Sequence, residues 1–377
     1  MSDKVKNTIK NIIFTLILFT VSTVVAYGIG EIMVRAWMPQ PMLPRYVTNA
    51  PYGIRKNMPN VSIWHTSPDY RVNVRTNSHG VRSDRDIPYG KPLGTFRIVG
   101  LGDSFTLGYE VKQEDTFLYQ LQEKLHERGA DKVEVINLGV SGFGTAEELI
   151  TLKEEGLKYD PDMILLGYFA NDIQNNVTSG LFSLQGDSLR QDSDTYLPAV
   201  GIRNFLFSIP VYRYLADNSQ LLNLVRNFVS YQIQQAIFEK VRGAESEALS
   251  QEEEEKIISS EAILTARLLD QVYLVCKSRN IPFLLLNIPN ADSTRKSMFS
   301  NIPLDKMQFA DCIIYVDAQN IIAPYLGERQ IQWEKWHGHW LPWVHHIVAD
   351  VLAENVAPHL MQTEVSEEAM TTNTDSL

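Results

Sequence analysis

From residue 95 onward, short runs rich in β-branched residues and leucine alternate with longer stretches that are apolar at every third or fourth position. The short runs predict strands at 96–101, 133–138, 163–167, 283–288 and 313–316. Residues 116–128 show the helical spacing most clearly, through Phe117, Leu118, Leu121 and Leu125. Strands and helices that alternate in this way predict an α/β domain, with a mainly parallel sheet and helices on both faces. One connection is too long for a simple crossover. Between about 173 and 280 lie a polar loop, an aromatic-rich helical stretch (205–238), the acidic run Glu252 to Glu255 and a long amphipathic helix ending near Lys277. The acidic run reads as a solvated helix face. The aromatics Phe205, Phe207, Tyr212, Tyr214, Phe228 and Tyr231 read as core, with a lid or partner face as the alternative.

The other long apolar run is at the amino terminus. Residues 12–32 are apolar or small apart from Glu31, close to the roughly 20 residues that cross a bilayer. Lys4, Lys6 and Lys10 precede it. The positive-inside rule then predicts a single-pass anchor over 1–37, with the amino terminus in the cytoplasm and everything after Trp37 on the far side of the membrane. A cleaved signal sequence is the rival, because Ala26-Tyr27-Gly28 resembles a small-x-small cleavage site. Residues 38–94, rich in proline, asparagine and charge, predict a lead-in segment packed on the main domain and carrying no chemistry. The polar tail 361–377 is expected to be disordered.

Composition narrows the function. With 377 residues, 44% of them hydrophobic, the chain can bury a large core, and a net charge of −11 excludes a nucleic-acid partner. The two cysteines, Cys276 in a helical stretch and Cys312 at the start of a strand, read as buried free thiols.

The first strand stops at Gly102-Asp103-Ser104, which puts Ser104 in a strand-to-helix turn, where open α/β sheets bind ligands. A dinucleotide fingerprint would need glycine where Phe105 stands, and no Gly-Lys-Ser/Thr follows. After the second strand, Asn137-Leu138-Gly139-Val140-Ser141-Gly142-Phe143-Gly144 lets the backbone turn so that Gly142 presents its N–H as an anion donor. After the third strand, Asn171 offers a side-chain amide. With the Ser104 amide, these three would form an oxyanion hole. The segment 336–346 holds four of the eight histidines: His337, His339, His345 and His346. A serine hydroxyl needs a neighbouring base, and His339 is the candidate. His337, His339 and His345 are also a conceivable zinc set, but no fourth-ligand pattern accompanies them and no metal is expected. His345 and His346 read as surface or capping residues.

In this order, Gly102-Asp103-Ser104-Phe105, Ser141-Gly142, Asn171-Asp172 and His339 resemble the four blocks of the SGNH, or GDSL-type, hydrolase superfamily. The resemblance covers about 95–352, interrupted by the insertion, and implies a three-layer α/β/α domain over 95–360. The anchor, Asn77-Ser78-His79-Gly80-Val81-Arg82 and the closing Gly338-His339-Trp340 resemble membrane-anchored bacterial members associated with cell-surface polysaccharides. The resemblance implies Ser104 as nucleophile and hole donor, Gly142 and Asn171 as the other donors, and His339 as base. It implies hydrolysis or transfer of acyl groups, acetyl above all, through an acyl-serine without metal or organic cofactor. An acylated glycan would be the substrate and polysaccharide assembly proteins the partners.

One feature departs from that pattern. Members of the family usually carry an aspartate two or three residues before the histidine; here His337 and Trp336 stand there, and Leu341 and Val344 replace a frequent asparagine and glycine. Glu334 and His337 are the local candidates for acid or orienter. The alternatives are a Ser–His dyad oriented by a backbone carbonyl, or a fold that has lost catalysis and binds glycan or scaffolds a membrane complex. Within the enzyme class, a lysophospholipid esterase is the runner-up.

Overall fold

All five expected strands form and pair in one parallel sheet. They are β5 (Phe96–Gly102), β6 (Val133–Asn137), β7 (Met163–Phe169), β10 (Phe283–Ile288) and β13 (Ile314–Asp317), in the order β13-β10-β7-β5-β6. The computed structural model describes residues 3–374 except 43, 198–199, 244–250, 292–296 and 335–337; side chains are not described at 200, 234, 237–243, 251–257 and 361–374.

Side-chain alternation along the strands divides the core in two, as a pleated ribbon covered on both faces requires. Ile98 of β5 and Met163 and Leu165 of β7 face helices α3 (Phe117–Glu127) and α11 (Pro342–Thr374), meeting Leu118, Leu121, Val344, Val348 and Leu352. Val99, Leu101, Ile164 and Leu166 face the other way, toward α4 (Thr145–Glu154) and α9 (Gln251–Lys277), meeting Leu149, Leu152, Leu268 and Val272. This is the three-layer α/β/α arrangement. Helix α3 begins where Thr116 caps it, accepting the Tyr119 N–H at 3.2 Å.

The chain runs from β5 outward to β6 and then returns to the other side of β5 as β7. Strand order therefore reverses at β5, and the carboxyl ends of β5 and β7, in register at Gly102 and Gly167, open onto a crevice of the kind that binds ligands. The connections leaving β5, β6 and β7 carry candidate residues: α2 (Ser104–Leu107), the turn before α4, and α5 (Asp172–Ser179).

Outside the sheet, helix α1 (Asp3–Trp37) is long and apolar enough to cross a membrane, and Val34 is its only buried side chain among the described residues. The lead-in forms two hairpins, β1 (Val47–Asn49) with β2 (Arg55–Asn57) and β3 (Ser62–Thr66) with β4 (Arg71–Arg75). The insertion holds a hairpin, β8 (Phe182–Gln185) with β9 (Ser188–Gln191), then α6 (Val200–Ser208), α7 (Pro210–Asn218), α8 (Gln220–Gly243) and α9. A short pair, β11 (Asn290–Ala291) with β12 (Met298–Phe299), and helix α10 (Ala318–Ile322) complete the described elements used below.

Two expectations are corrected. The insertion aromatics Phe205, Tyr214, Phe228 and Tyr231 are exposed rather than core. Cys276 is buried as expected, but Cys312 is exposed; both are free thiols. The Glu252 to Glu255 side chains and the 361–377 tail lie outside the described side chains.

Candidate active site

Ser104 opens α2 because three neighbours force the chain to turn there. Gly102 has φ +151, and a Cβ at that position would run into Thr106 and the Gly167 carbonyl. Asp103 then caps the helix, its carboxylate accepting the Phe105 N–H at 2.8 Å. Gly108, left-handed at φ 75, ends the helix after one turn. Ser104 is half-buried between buried neighbours.

His339 reaches this hydroxyl from the far end of the chain. Its segment is fixed by a narrow bridge: Trp333 N–H donates to the His339 carbonyl at 3.0 Å, and Leu341 N–H to Ile331 at 2.9 Å. Trp340 is fully buried beside it. The imidazole packs against Phe105 and Tyr109, with ring centroids 4.7 and 5.4 Å away. Nε2 then lies 2.7 Å from Ser104 Oγ.

The other face of the imidazole meets a residue that the sequence reading passed over. Nδ1 sits 3.1 Å from Glu110 Oε2, and the same oxygen accepts the His339 backbone N–H at 3.0 Å. Glu110 is fully buried and follows the nucleophile by six residues, on the loop after Gly108. Glu334, expected as a local substitute, is exposed, while His337 lies outside the described residues. A signal for Glu110 existed: it is the one charge in the apolar run Phe105-Thr106-Leu107-Gly108-Tyr109-Glu110-Val111.

The lead-in segment, expected to carry no chemistry, holds the loops of the site in place. Arg82, buried, donates to the carbonyls of Leu107 and Gly108 and, at 2.6 Å, of Val111, so it encloses the Glu110 loop. Burial lowers its pKa to about 10. Asn57 donates to the Gly139 carbonyl at 2.9 Å, Tyr46 to Ser141 Oγ at 2.6 Å, and Arg55 to the Gly142 carbonyl at 2.6 Å. Gly142, at φ 77, is thereby held in a turn that exposes its peptide. Asn171 precedes α5 without capping it through its side chain, and its buried Oδ1 has no hydrogen-bond partner among the described residues. Its side chain is thus not committed to capping the helix.

Beneath the site lies a group of buried carboxyls. Asp103 is pushed up to about 6 by burial, against the opposing pull of the Phe105 N–H and of His339. Glu148 and Asp172 are raised well above the carboxylate range, by burial first and then by neighbouring acid charge; Thr145 donates to Asp172 at 3.1 Å. The remaining histidines have structural surroundings. His345 is buried, and its Nδ1 accepts the Phe117 N–H at 3.3 Å, capping α3 as one of the two expected roles; burial lowers its pKa to about 3. His346 lies 3.3 Å from Asp115. Among the described residues, no group of three or more histidine, cysteine or acidic side chains is arranged to hold a metal.

A buried carboxylate beside an imidazole that reaches a hydroxyl can remove the serine proton as the oxygen attacks. Ser104, Gly142 and Asn171 stand on the connections after β5, β6 and β7, and His339 is brought to Ser104 from the far end of the chain. No family model matches the chain, and no curated protein does. Among solved structures, it is similar to a lipolytic protein of the G-D-S-L family from Desulfitobacterium hafniense (10% identity, 69% of this chain and 99% of that one, TM-score 0.34). It is also similar to the lipase/acylhydrolase from Enterococcus faecalis (15%, 70% and 95%, TM-score 0.39) and to an acetyl xylan esterase, AlAXEase (14%, 69% and 100%, TM-score 0.37). Likeness at this distance assigns neither activity nor substrate to this chain.

Proposed function

We propose that the chain is an SGNH-type serine esterase or O-acyltransferase that works through an acyl-serine, with Glu110 as the triad acid. The observation that carries this reading is the continuous line from Glu110 Oε2 through His339 to Ser104 Oγ, with separations of 3.1 and 2.7 Å. Glu110 holds the Nδ1 proton, which leaves Nε2 to accept the serine proton. Ser104 Oγ bonds to the ester carbonyl carbon, and the carbonyl electron pair moves onto oxygen. That oxyanion is met by the N–H groups of Ser104 and Gly142 and the Asn171 amide, each donor being worth about 3–4 kcal/mol in such sites. His339 then protonates the departing alkoxide. Water or a second hydroxyl, deprotonated by His339, takes the acyl group from the serine. A buried acid in the line favours catalysis over a degenerate scaffold.

The substrate follows from the resemblance: acyl groups, acetyl above all, on an exported or cell-surface polysaccharide, with polysaccharide assembly proteins as partners. Helix α1 would anchor the chain in the cytoplasmic membrane, with the domain on the periplasmic side, as Lys4, Lys6 and Lys10 favour. Incubation of the full chain in detergent with an acetylated polysaccharide and with a lysophospholipid tests this. Acetate released or transferred, and lost in Ser104→Ala, is the expected result. Fatty acid released from the lysophospholipid, with none of acetate from the glycan, would overturn the substrate assignment.

A further inference from the structure

The outward face of α8 carries Val225, Phe228, Val229 and Ile233 at helical spacing, all exposed. Asn223, on the same helix, is buried and donates to the Ala216 and Ser219 carbonyls, and Asn227 donates to Gln40. A helix on a water-soluble surface turns such an apolar stripe inward. Ile202, Phe205 and Ile209, on and just after α6, and Val211 and Tyr214 on α7 extend the exposed apolar surface. Neighbouring large apolar side chains exposed on three consecutive helices mark a contact surface.

The attachment of these helices to α1 fixes their height. Glu31 accepts the backbone N–H groups of Gln220 and Leu221, both at 2.9 Å, and the Ser219 hydroxyl at 2.8 Å. Arg35 bonds Glu31 and the Asn218 carbonyl, both at 2.7 Å, and Tyr27 bonds Ser219. At Gly30, an added Cβ would lie 3.0 Å from Leu221, so α1 and α8 are in close contact. The apolar run of α1 ends at residue 32, and at about 1.5 Å per residue it spans the hydrocarbon thickness. The α7–α8 junction is therefore held at the boundary where that run leaves the hydrocarbon. Trp37 and Tyr214, close in sequence to the residues of that junction, are exposed, as interfacial aromatics are. Arg45 and Arg226 sit over Phe207, at 5.5 and 5.7 Å from its centroid, and their positive charge, with that of Arg55, acts on Arg203.

We propose that α6, α7 and α8 are a second membrane contact: their apolar stripes rest in the headgroup and upper acyl layer of the bilayer that α1 crosses, with Arg45, Arg203 and Arg226 against lipid phosphates. The proposal rests on reading α1 as an uncleaved span. Arg55, whose charge also acts on Arg203, bonds the Gly142 carbonyl and so links this face to a loop of the site.

The test uses the full chain in phospholipid nanodiscs, in a Cys312→Ser background, with a fluorophore on single cysteines replacing Phe205, Val211 or Phe228. Replacements at Ile17 in α1 and at Leu93, an exposed lead-in residue, are the controls. Spin-labelled lipid should quench the three insertion sites at least severalfold more than Leu93, and aqueous iodide should quench them severalfold less. Iodide quenching equal to that at Leu93, with Ile17 still quenched by lipid, would overturn the docking alone. Shielding from both quenchers would overturn it in favour of a protein partner. Iodide quenching at Ile17 would overturn the span and the docking together.

Discussion

Glu110 Oε2 accepts the backbone N–H of His339 at 3.0 Å and faces the Nδ1 of the same residue at 3.1 Å. One carboxylate oxygen thus holds the main chain of the histidine and lies beside its ring. If that contact orients the base, Glu110→Gln lowers kcat by about 10³–10⁴-fold with little change in KM, while Glu334→Gln leaves both unchanged. Steady-state hydrolysis of a chromogenic acetyl ester measures this directly.

Arg82 determines where Glu110 sits. Arg82→Met leaves the Leu107, Gly108 and Val111 carbonyls without their buried donor, at about 1–3 kcal/mol each. Urea denaturation should show a loss of roughly 3 kcal/mol or more, and the folded fraction should have a lower kcat, because the loop that carries the acid is no longer enclosed.

Much of this was legible in sequence, for identifiable reasons. The five strands are continuous apolar runs because the sheet is covered on both faces, and Gly102-Asp103-Ser104 announces its turn through residues that only such a turn requires. His339 lies 2.7 Å from Ser104 as the block order implied. Glu110 escaped because the expected acid is local to the histidine, whereas this one is local to the serine, and proximity across 229 residues leaves no spacing to read. The lead-in clamps escaped because Asn57, Arg55 and Arg82 act through backbone carbonyls, which have no sequence signature. The insertion aromatics were read as core because helical spacing locates an apolar stripe without saying which way it faces.

Asp103 sets one pH dependence. Its carboxyl is pushed from 3.8 up to about 6 by burial. Between those values the folded state binds a proton that the unfolded state does not. The group therefore favours folding fully below about pH 3.8, and that contribution is lost as pH rises through 6. The difference is about 3 kcal/mol. Asp103→Asn, which keeps a capping side chain, should gain stability relative to the parent between pH 4 and pH 7.5, as read by denaturation at each pH.

His345 acts in the opposite direction. Burial lowers its pKa from 6.5 to about 3, so the unfolded chain takes up a proton that the folded chain refuses. Stability present above pH 6.5 is lost as pH falls toward 3, by up to about 5 kcal/mol. His345→Gln, which keeps an acceptor for the Phe117 N–H, should flatten the acid side of the stability curve. A curve of unchanged slope would place the acid sensitivity elsewhere.

The most direct test of the central claim is fluorophosphonate labelling of the full chain, with the modified peptide mapped by mass spectrometry and the labelling rate compared among parent, Ser104→Ala, His339→Ala and Glu110→Gln. The account predicts labelling at Ser104, absent in the first two variants and slowed by orders of magnitude in the third. A Glu110→Gln protein that labels at the parental rate, or a folded parent that does not label at all, would contradict it.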